Sequence, residues 1–226
     1  MDPILLTLGQ VSLYRSDLAS LASGGWLNDS IIALFFEVIE EQQEHSKVGL
    51  IRPAIVRLLH NLDCESARSI LGHDHELYVS DVLVVPVNDH YGREGVGGSH
   101  WTTLIYHRAS GQAYHFDSNN GSGVEETSNR AAIATSALLA QMLQWTTPIK
   151  VRESRCPQQS NGYDCGVAVV AVARTAVKIV TESGTGDPQP LINAIEAEAS
   201  PLTLAAVRER MQDEVADRIA ARYQSM

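Results

Sequence analysis

Cys165 stands where a protein could place the nucleophile of a covalent mechanism. It directly precedes the apolar run GVAVVAVA, and the unpaired amides and dipole at the start of a helix favour the thiolate form of a cysteine. A thiolate of this kind can attack a carbonyl carbon once a base stands beside it. A buried structural cysteine is the alternative for Cys165 alone, because free cysteine is often simply a core residue.

His100 and Asp117 are the candidates for the base and its orienting carboxylate, because they stand at the two ends of a predicted β-hairpin. The segments WTTLIYH and QAYHFD flank a short turn, which is typical of a hairpin. If His107 pairs with Gln112, then Asp117 lies opposite Thr102, diagonal to His100 and on the same face. The carboxylate would then fix the imidazole tautomer and leave the other ring nitrogen for a thiol. A one-residue slip would separate the two side chains, and a loop histidine beside glycine is the alternative for His100.

Gln159 is the candidate for the oxyanion hole. It lies shortly before Cys165 in the segment CPQQSNGYDCG, on a loop that is dense in serine, asparagine and glycine. Its side-chain amide could join the backbone N–H of Cys165 in donating to the oxyanion of a tetrahedral intermediate. A solvated glutamine on a surface loop is the alternative.

The pattern of apolar residues predicts the scaffold that must position these side chains. One helix begins at Asn28 or Asp29, either of which can cap it, and a second begins near Pro53. Residues 82–87, WTTLIYH, QAYHFD and PIKVRES are predicted strands, the last at a sheet edge. Separated helices and a cluster of strands favour the α+β class.

Three further helices are predicted from their apolar periodicity. The helix at 127–145 would bury Ile133, Leu138, Leu139, Met142 and Leu143. The helix that begins at Cys165 is apolar on every side for about three turns, which is typical of a helix inside the core. The helix from Pro201 would bury Leu204, Val207, Met211, Val215 and Ile219.

Length and composition favour one globular domain over residues 1–226. Hydrophobic residues make up 44% and charged residues 19% of the 226 residues, a balance that supports a sizeable core. The 17 lysines and arginines against 27 aspartates and glutamates give a net charge of -10. This charge disfavours a nucleic acid partner.

The three cysteines, an odd number without regular spacing, favour free thiols in a reducing compartment. The N-terminus MDPILLTLGQ lacks the basic region of a secretory signal. The apolar run after Cys165 ends at Arg174 and Lys178, well short of the roughly 20 residues that span a bilayer. We therefore expect an intracellular protein, cytoplasmic or nuclear, that does not bind membranes and is monomeric.

The chain resembles a known enzyme family in four motifs that follow one another between residues 26 and 166. These are WLND at 26–29, HW at 100–101, HFDS at 115–118, and the spacing from Gln159 to Cys165, which ends in NGYDCG at 161–166. Each motif alone is weak, whereas the ordered set is specific. The chain resembles the ubiquitin-like-protein-specific (Ulp/sentrin-specific) cysteine proteases. The opening MDPILL and the form GGSHW are most similar to the deneddylase branch.

This resemblance implies a papain-like fold, with a central mixed sheet and a buried helix that carries the nucleophile. It implies a catalytic triad of Cys165, His100 and Asp117, with Gln159 as the oxyanion donor and no cofactor. It also implies that Trp26 and Trp101 flank a narrow channel for a Gly-Gly tail and that Asp29 contacts the C-terminal strand of the modifier.

The resemblance implies an enzyme that cleaves after the C-terminal Gly-Gly of a ubiquitin-like modifier. A Nedd-type modifier is the expected substrate, and SUMO is the alternative. A narrow channel between the indoles of Trp26 and Trp101 would select glycine, because it excludes residues with side chains. Core packing is the alternative for both tryptophans. An acyltransferase on the same Cys-His scaffold, passing acetyl from coenzyme A to a protein, is a rival activity. A module that only binds a ubiquitin-like protein is the third possibility.

Several other features are interpreted as structural. The run His73-Asp74-His75-Glu76 is predicted to be a solvated loop, because consecutive residues converge poorly on one metal ion and no second ligand set is present. The glycine-rich segment 92–98 lacks the lysine and hydroxyl of a phosphate loop and is interpreted as a flexible loop beside the substrate. Trp145 matches none of the motifs, and we expect it in the core.

Overall fold

The fold combines short strands with helices of very different lengths. A computed structural model describes residues 2–42, 47–72, 75–90, 98–119, 125–145, 148–197 and 201–224, with the side chains at 125–127 and 201–203 left out. Its strands are β1 (Ile4–Leu8), β2 (Val11–Tyr14), β3 (Val48–Leu50), β4 (Val82–Asn88), β5 (Trp101–His107), β6 (Gln112–Phe116) and β7 (Lys150–Ser154). Its α-helices are α1 (Leu18–Leu21), α2 (Asp29–Gln42), α3 (Pro53–Asn61), α4 (Cys64–Leu71), α5 (Glu76–Val79), α6 (Glu125–Met142), α7 (Cys165–Ser183), α8 (Gln189–Ala197) and α9 (Pro201–Gln224).

The central sheet is mixed, in the order β3-β4-β5-β6-β7. Strands β4, β5 and β6 run antiparallel to their neighbours within this group, whereas β3 and β7 pair in parallel at the two edges. The predicted α+β class and central mixed sheet are therefore confirmed. PIKVRES forms β7, which lies at an edge as predicted.

The hairpin of β5 and β6 has the register predicted from its turn. His107 pairs with Gln112, and Thr103 pairs with Phe116. Continuing that register by one residue sets Thr102 opposite Asp117. His100, which directly precedes β5, therefore lies diagonal to Asp117 at one end of the sheet.

Two apolar cores cover the two faces of the sheet. The larger contains α2, α7 and the buried side of α9, packed on strand residues such as Val84 and Ile105. The smaller contains α3 and α6, packed on residues such as Leu83 and Leu104. Because neighbouring strand residues point to opposite faces, each central strand is buried on both sides and is almost continuously apolar.

Helix α7 is the buried helix predicted to begin at Cys165. Every residue from Cys165 to Ala173 is buried, and the helix packs against α2, α8 and β5. Arg174, the next residue, is only partly buried and forms an ion pair with Glu214 of α9. Among the described residues, no helix is both long and apolar enough to cross a bilayer.

Helix α6 corrects one residue of its predicted buried face. Ile133 was expected in the core but is 55% exposed, while the residues that pack on the sheet side are mostly small. The buried set is Ala131, Ala132, Ser128, Thr135, Ser136, Leu139, Ala140 and Met142. Leu139 and Met142 are buried as predicted, and Leu138 and Leu143 pack against the same core. Only Ile133 was placed wrongly.

Trp145 corrects a second prediction, because it is exposed instead of lying in the core. Its ring packs edge-on against Tyr106, with centroids 5.9 Å apart and an interplanar angle of 86°. The β1–β2 hairpin and helices α4 and α8 were not predicted. These elements are short, and their apolar residues are too few to establish a period.

Candidate active site

His100 and Asp117 meet at the end of the sheet where β5 begins and β6 ends. The Nε2 atom of His100 lies 2.7 Å from Oδ1 of Asp117, and both side chains are buried. The same carboxylate oxygen accepts the backbone N–H of Asn119 at 2.8 Å. Because Nε2 is bound to the carboxylate, Nδ1 of the imidazole is left for a second partner.

The position of His100 is fixed by contacts that the sequence did not reveal. Asp89, directly after β4, accepts the backbone N–H of Ser99 at 2.7 Å and its hydroxyl at 2.6 Å. The backbone N–H of Asp89 donates to the carbonyl of His100 at 3.1 Å. Gly98 has a φ of +118°, a conformation that side chains rarely adopt, and it lies against Asn88.

The buried pair changes the acidity of both groups. Burial lowers the pKa of His100, but hydrogen bonds with Asp117 and Cys165 and their charges outweigh it and raise the pKa to about 9. Burial raises the pKa of Asp117, and the hydrogen bond and charge of His100 outweigh it, so that the pKa lies below its usual value. An imidazolium beside a carboxylate is therefore the favoured state of the pair at neutral pH.

Cys165 completes the constellation as the first residue of α7. It is 2% exposed, and its hydrogen bond with His100 contributes to the raised pKa of the imidazole. The structure therefore brings together the three side chains that were predicted to meet. A thiol, an imidazole and a carboxylate in this order can carry out nucleophilic acyl transfer.

The other two cysteines have different surroundings. All three are free thiols, as predicted. Cys64, at the start of α4, donates its S–H to Oε1 of Gln141 at 3.3 Å. Cys156 is buried, and burial together with the charges of Asp117 and Glu153 raises the pKa of its thiol to about 12. The thiolate is the reactive form of cysteine, so the surroundings of Cys165 favour it as the nucleophile.

Gln159 lies beside the triad and is held at both ends of its side-chain amide. Its Oε1 accepts the hydroxyl of Ser118 at 2.8 Å, and its Nε2 donates to the carbonyl of Asn161 at 2.6 Å. Its backbone N–H donates to the carbonyl of Ser118 at 2.8 Å. The second Nε2 hydrogen is left for an oxyanion, together with the backbone N–H of Cys165 in the first turn of α7. The oxyanion role of Gln159 stays a prediction.

The predicted channel tryptophans differ in exposure. Trp101 is 9% exposed and its Nε1–H donates to the carbonyl of Leu27 at 3.0 Å, whereas Trp26 is 52% exposed. A Cβ added to Gly166 would lie 2.7 Å from Cβ of Leu27. The backbone after the nucleophile thus lies directly against the segment that carries Trp26.

Asn28, and not Asp29, caps helix α2. Its Oδ1 accepts the backbone N–H of Ile31 at 3.0 Å, and its amide donates to Asp17 at 2.7 Å. Asp29 is the first residue of the helix and is exposed. Its carboxylate interacts with the charge of Arg57, and its contact with a bound chain stays a prediction.

The features interpreted as structural lie partly outside the described residues. His73, Asp74 and residues 92–97 belong to segments of which nothing is described. His75 caps α5 by accepting the backbone N–H of Leu77 at 3.2 Å. Among the described residues, no group of three histidine, cysteine, aspartate or glutamate side chains could hold a metal ion.

The amino-acid sequence that forms this site matches a known protein family. Residues 25–185 match the model of the Ulp1 protease family, C-terminal catalytic domain. The chain belongs to this family. It is therefore a cysteine peptidase, and the predicted resemblance is confirmed. The match begins next to Trp26 and ends just after α7, so it contains all the predicted site residues.

Curated relatives of this Ulp1-family chain align over most of its length. NEDD8-specific protease 1 of Arabidopsis thaliana is 29% identical, over 93% of this chain and 91% of the relative. Sentrin-specific protease 8 of Homo sapiens is 28% identical, over 75% and 79%. Probable sentrin-specific protease 8 of Dictyostelium discoideum is 26% identical, over 79% and 77%.

Solved structures of other family proteins share the fold. The yeast Ulp1 protease domain in complex with Smt3, the yeast ortholog of SUMO, has a TM-score of 0.62 at 18% identity, over 95% of this chain and 90% of that one. The Xanthomonas campestris effector XopD bound to ubiquitin has a TM-score of 0.59 at 18% identity, over 83% and 90%. At this identity the likeness concerns the fold alone.

Proposed function

We propose that this peptidase cleaves after the C-terminal Gly-Gly of a ubiquitin-like modifier of the Nedd type. The observation that carries the chemistry is the contact of His100 with both Asp117 and Cys165. Support for the modifier comes from the relatives named NEDD8-specific protease 1, of which the Arabidopsis protein aligns over 91% of its length. Deneddylation is therefore the activity we expect.

The reaction follows from the positions of the side chains. The thiolate of Cys165 attacks the carbonyl carbon of the terminal glycine, and the resulting oxyanion accepts hydrogen bonds from Gln159 and the Cys165 backbone. The imidazolium of His100 gives its proton to the leaving amine as the C–N bond breaks. His100 then takes a proton from water, whose oxygen attacks the thioester and releases the modifier and the Cys165 thiolate, so that the thiolate and the imidazolium are restored.

The leaving amine is the Nζ of a lysine in a conjugate or the backbone nitrogen of the next residue in a precursor. Both are aliphatic amines that need a proton as they leave, and the raised pKa of His100 supplies an acid at neutral pH. The same site therefore suits deconjugation and precursor processing.

Trp26 and Trp101 support a substrate with a narrow tail. The buried indole of Trp101 is anchored on Leu27, and the exposed indole of Trp26 belongs to the same short segment. Cys165 is nearly buried, so a tail of residues without side chains reaches it most easily. Glycine selection follows from steric exclusion, and the globular part of the modifier would contact the surface outside the channel.

A panel of modifiers with a C-terminal fluorogenic amide tests the proposal. We expect the highest kcat/KM with the Nedd-type modifier, lower values with SUMO and ubiquitin, and none in the Cys165→Ala variant. Preference for SUMO by tenfold or more would overturn the deneddylase assignment and leave the peptidase chemistry intact. Transfer of label from acetyl-coenzyme A to Cys165, without modifier cleavage, would favour the acyltransferase instead.

A further inference from the structure

Arg208 is a buried cation in the C-terminal helix α9, next to the start of the nucleophile helix. It is 5% exposed, and its Nε donates to Oδ1 of Asp164 at 2.7 Å, a carboxylate that is itself 4% exposed. The guanidinium also stacks on the ring of Tyr163, 5.5 Å from the centroid. Burying a charge costs free energy unless the charge is paired. The guanidinium of Arg208 and the carboxylate of Asp164 therefore stabilise each other in the core.

The guanidinium joins two distant parts of the chain. Its terminal nitrogens donate to backbone carbonyls at distances of 2.9 to 3.4 Å, those of Ser20, Leu21, Ala22, Gly25 and Tyr163. Four of these carbonyls precede Trp26, and the fifth lies two residues before Cys165. One side chain therefore holds both the entry to the proposed channel and the start of α7.

Asp164 gives this pair an electrostatic role as well. It is the N-cap residue of α7, whose carbonyl accepts the backbone N–H of Ala168 at 2.9 Å. Its carboxylate, adjacent in sequence to Cys165, would disfavour a second negative charge at the sulfur. Arg208 neutralises that carboxylate, and Asn161 donates to its other oxygen at 2.8 Å.

We propose that Arg208 is a positioning residue that neutralises Asp164 beside the thiolate of Cys165 and holds segment 20–25 to the residues that precede α7. The proposal rests on the catalytic role of Cys165 and is independent of which modifier is cleaved. The two roles can be tested separately. The charge of Arg208 acts on the sulfur of Cys165, whereas the fork of guanidinium hydrogen bonds acts on segment 20–25, which precedes the proposed channel.

Few other charged groups among the described residues lie near Arg208 and Cys165. His100 and Asp117 face the sulfur from the sheet, and they are unchanged in the variants below. On α9, the neighbours Glu209 and Arg210 are exposed. Asp17, close to segment 20–25, accepts the backbone N–H of Tyr14 at 2.8 Å as well as the amide of Asn28.

The charge is tested by alkylating Cys165 with iodoacetamide across pH, without any modifier, and following its peptide by mass spectrometry. Arg208→Met leaves Asp164 unbalanced, so we expect the midpoint of the alkylation profile to move to higher pH by about one unit. Asp164→Asn leaves the cation unbalanced and should move the midpoint the other way. Arg210→Met, an exposed position on the same helix, is the matched control and should leave it unchanged.

The fork is tested with Arg208→Lys, which keeps the charge but cannot reach all the acceptors. We expect its alkylation midpoint to match the wild type, while KM for a fluorogenic modifier rises about tenfold because segment 20–25 loses hydrogen bonds. A structural role alone would lower the melting temperature in every variant without shifts of opposite sign.

Midpoints that move in the same direction in Arg208→Met and Asp164→Asn, or stay within about 0.3 units, would overturn the charge role. If Arg208→Met does not fold, the direction of the shift in Asp164→Asn decides. An unchanged KM in Arg208→Lys would overturn the role in the channel. Failure of Cys165 as nucleophile is distinguishable, because alkylated wild-type protein would then still hydrolyse a modifier substrate.

Discussion

Ser118 donates its hydroxyl to Oε1 of Gln159 at 2.8 Å, and Gln159 returns its backbone N–H to the carbonyl of Ser118. A hydroxyl can donate or accept, but the carbonyl of Asn161 can only accept, and it takes the hydrogen bond from Nε2 of Gln159. The two contacts together fix which end of the amide is oxygen and which is nitrogen. The second hydrogen of Nε2 is then available to an oxyanion, a role of Gln159 that stays a prediction. Ser118 directly follows Asp117, so one short segment contacts Gln159 and carries the carboxylate that binds His100.

Ser118→Ala should lower kcat about tenfold with little change in KM, because the amide of Gln159 loses its orientation but not its place. Gln159→Ala should lower kcat by about 10²–10³, the loss typical of one oxyanion donor. Steady-state kinetics with a fluorogenic modifier measures both. Ser118→Thr retains the hydroxyl and is the control; equal losses in Ala and Thr variants would contradict the orienting role.

Cys165→Ala should abolish hydrolysis and keep the fold, because the small side chain still fits the buried start of α7. Cys64→Ala is the matched control, since Cys64 is a partly exposed thiol bound to Gln141. We expect wild-type kcat/KM for that variant. Loss of activity in Cys64→Ala at unchanged melting temperature would contradict the assignment.

The pH dependence of kcat/KM should have an alkaline limb near pH 9, where His100, with its pKa raised to about 9, loses its proton. Asp117→Asn removes the carboxylate that raises this pKa and leaves the burial that lowers it. We therefore expect the pKa of His100 to fall by at least about one unit and kcat to fall by orders of magnitude. An NMR titration of the imidazole, assigned with His100→Gln, measures the first effect directly. A pKa that stays near 9 in Asp117→Asn would exclude this carboxylate as its cause.

Trp26→Ala should raise KM for a modifier substrate by about tenfold, because an exposed indole contributes little to folding but much to a contact surface. Trp145→Ala is the comparison, as Trp145 is also an exposed tryptophan but packs on Tyr106, away from the motifs. We expect its KM to be unchanged. Equal KM values in wild type and Trp26→Ala would remove Trp26 from the substrate surface.

Gly166→Ala should destabilise the fold and lower kcat/KM, because the added Cβ would lie 2.7 Å from Cβ of Leu27. Overpacking of this kind typically costs about 1–3 kcal/mol, and here it would displace the segment between Trp26 and Asn28. Chemical denaturation and steady-state kinetics measure the two effects. Gly186→Ala is the control, since a Cβ there meets no described atom within 4 Å. Similar stability in both variants would contradict the close packing at Gly166.

Short-range patterns in the sequence determined much of the site. The turn between WTTLIYH and QAYHFD sets a register in which His107 pairs with Gln112, and this register alone makes His100 and Asp117 diagonal neighbours. The apolar run after Cys165 required a buried helix, and that helix is α7. Such features depend on residues close in sequence, whose geometry follows from strand and helix periodicity.

Only the tertiary structure decided which distant residues support the site. Arg208 lies between Val207 and Met211, within the predicted apolar stripe of α9, and a charge at such a position signals a buried pair without identifying its partner. Asp164 and Ser118 give no local signal of their roles, because a hydrogen bond to a residue more than 40 positions away depends on the path of the chain. Likewise, only the packing of α6 shows that Ile133 is exposed while the small residues Ala131 and Ala132 are buried, which the periodicity of large apolar residues does not encode.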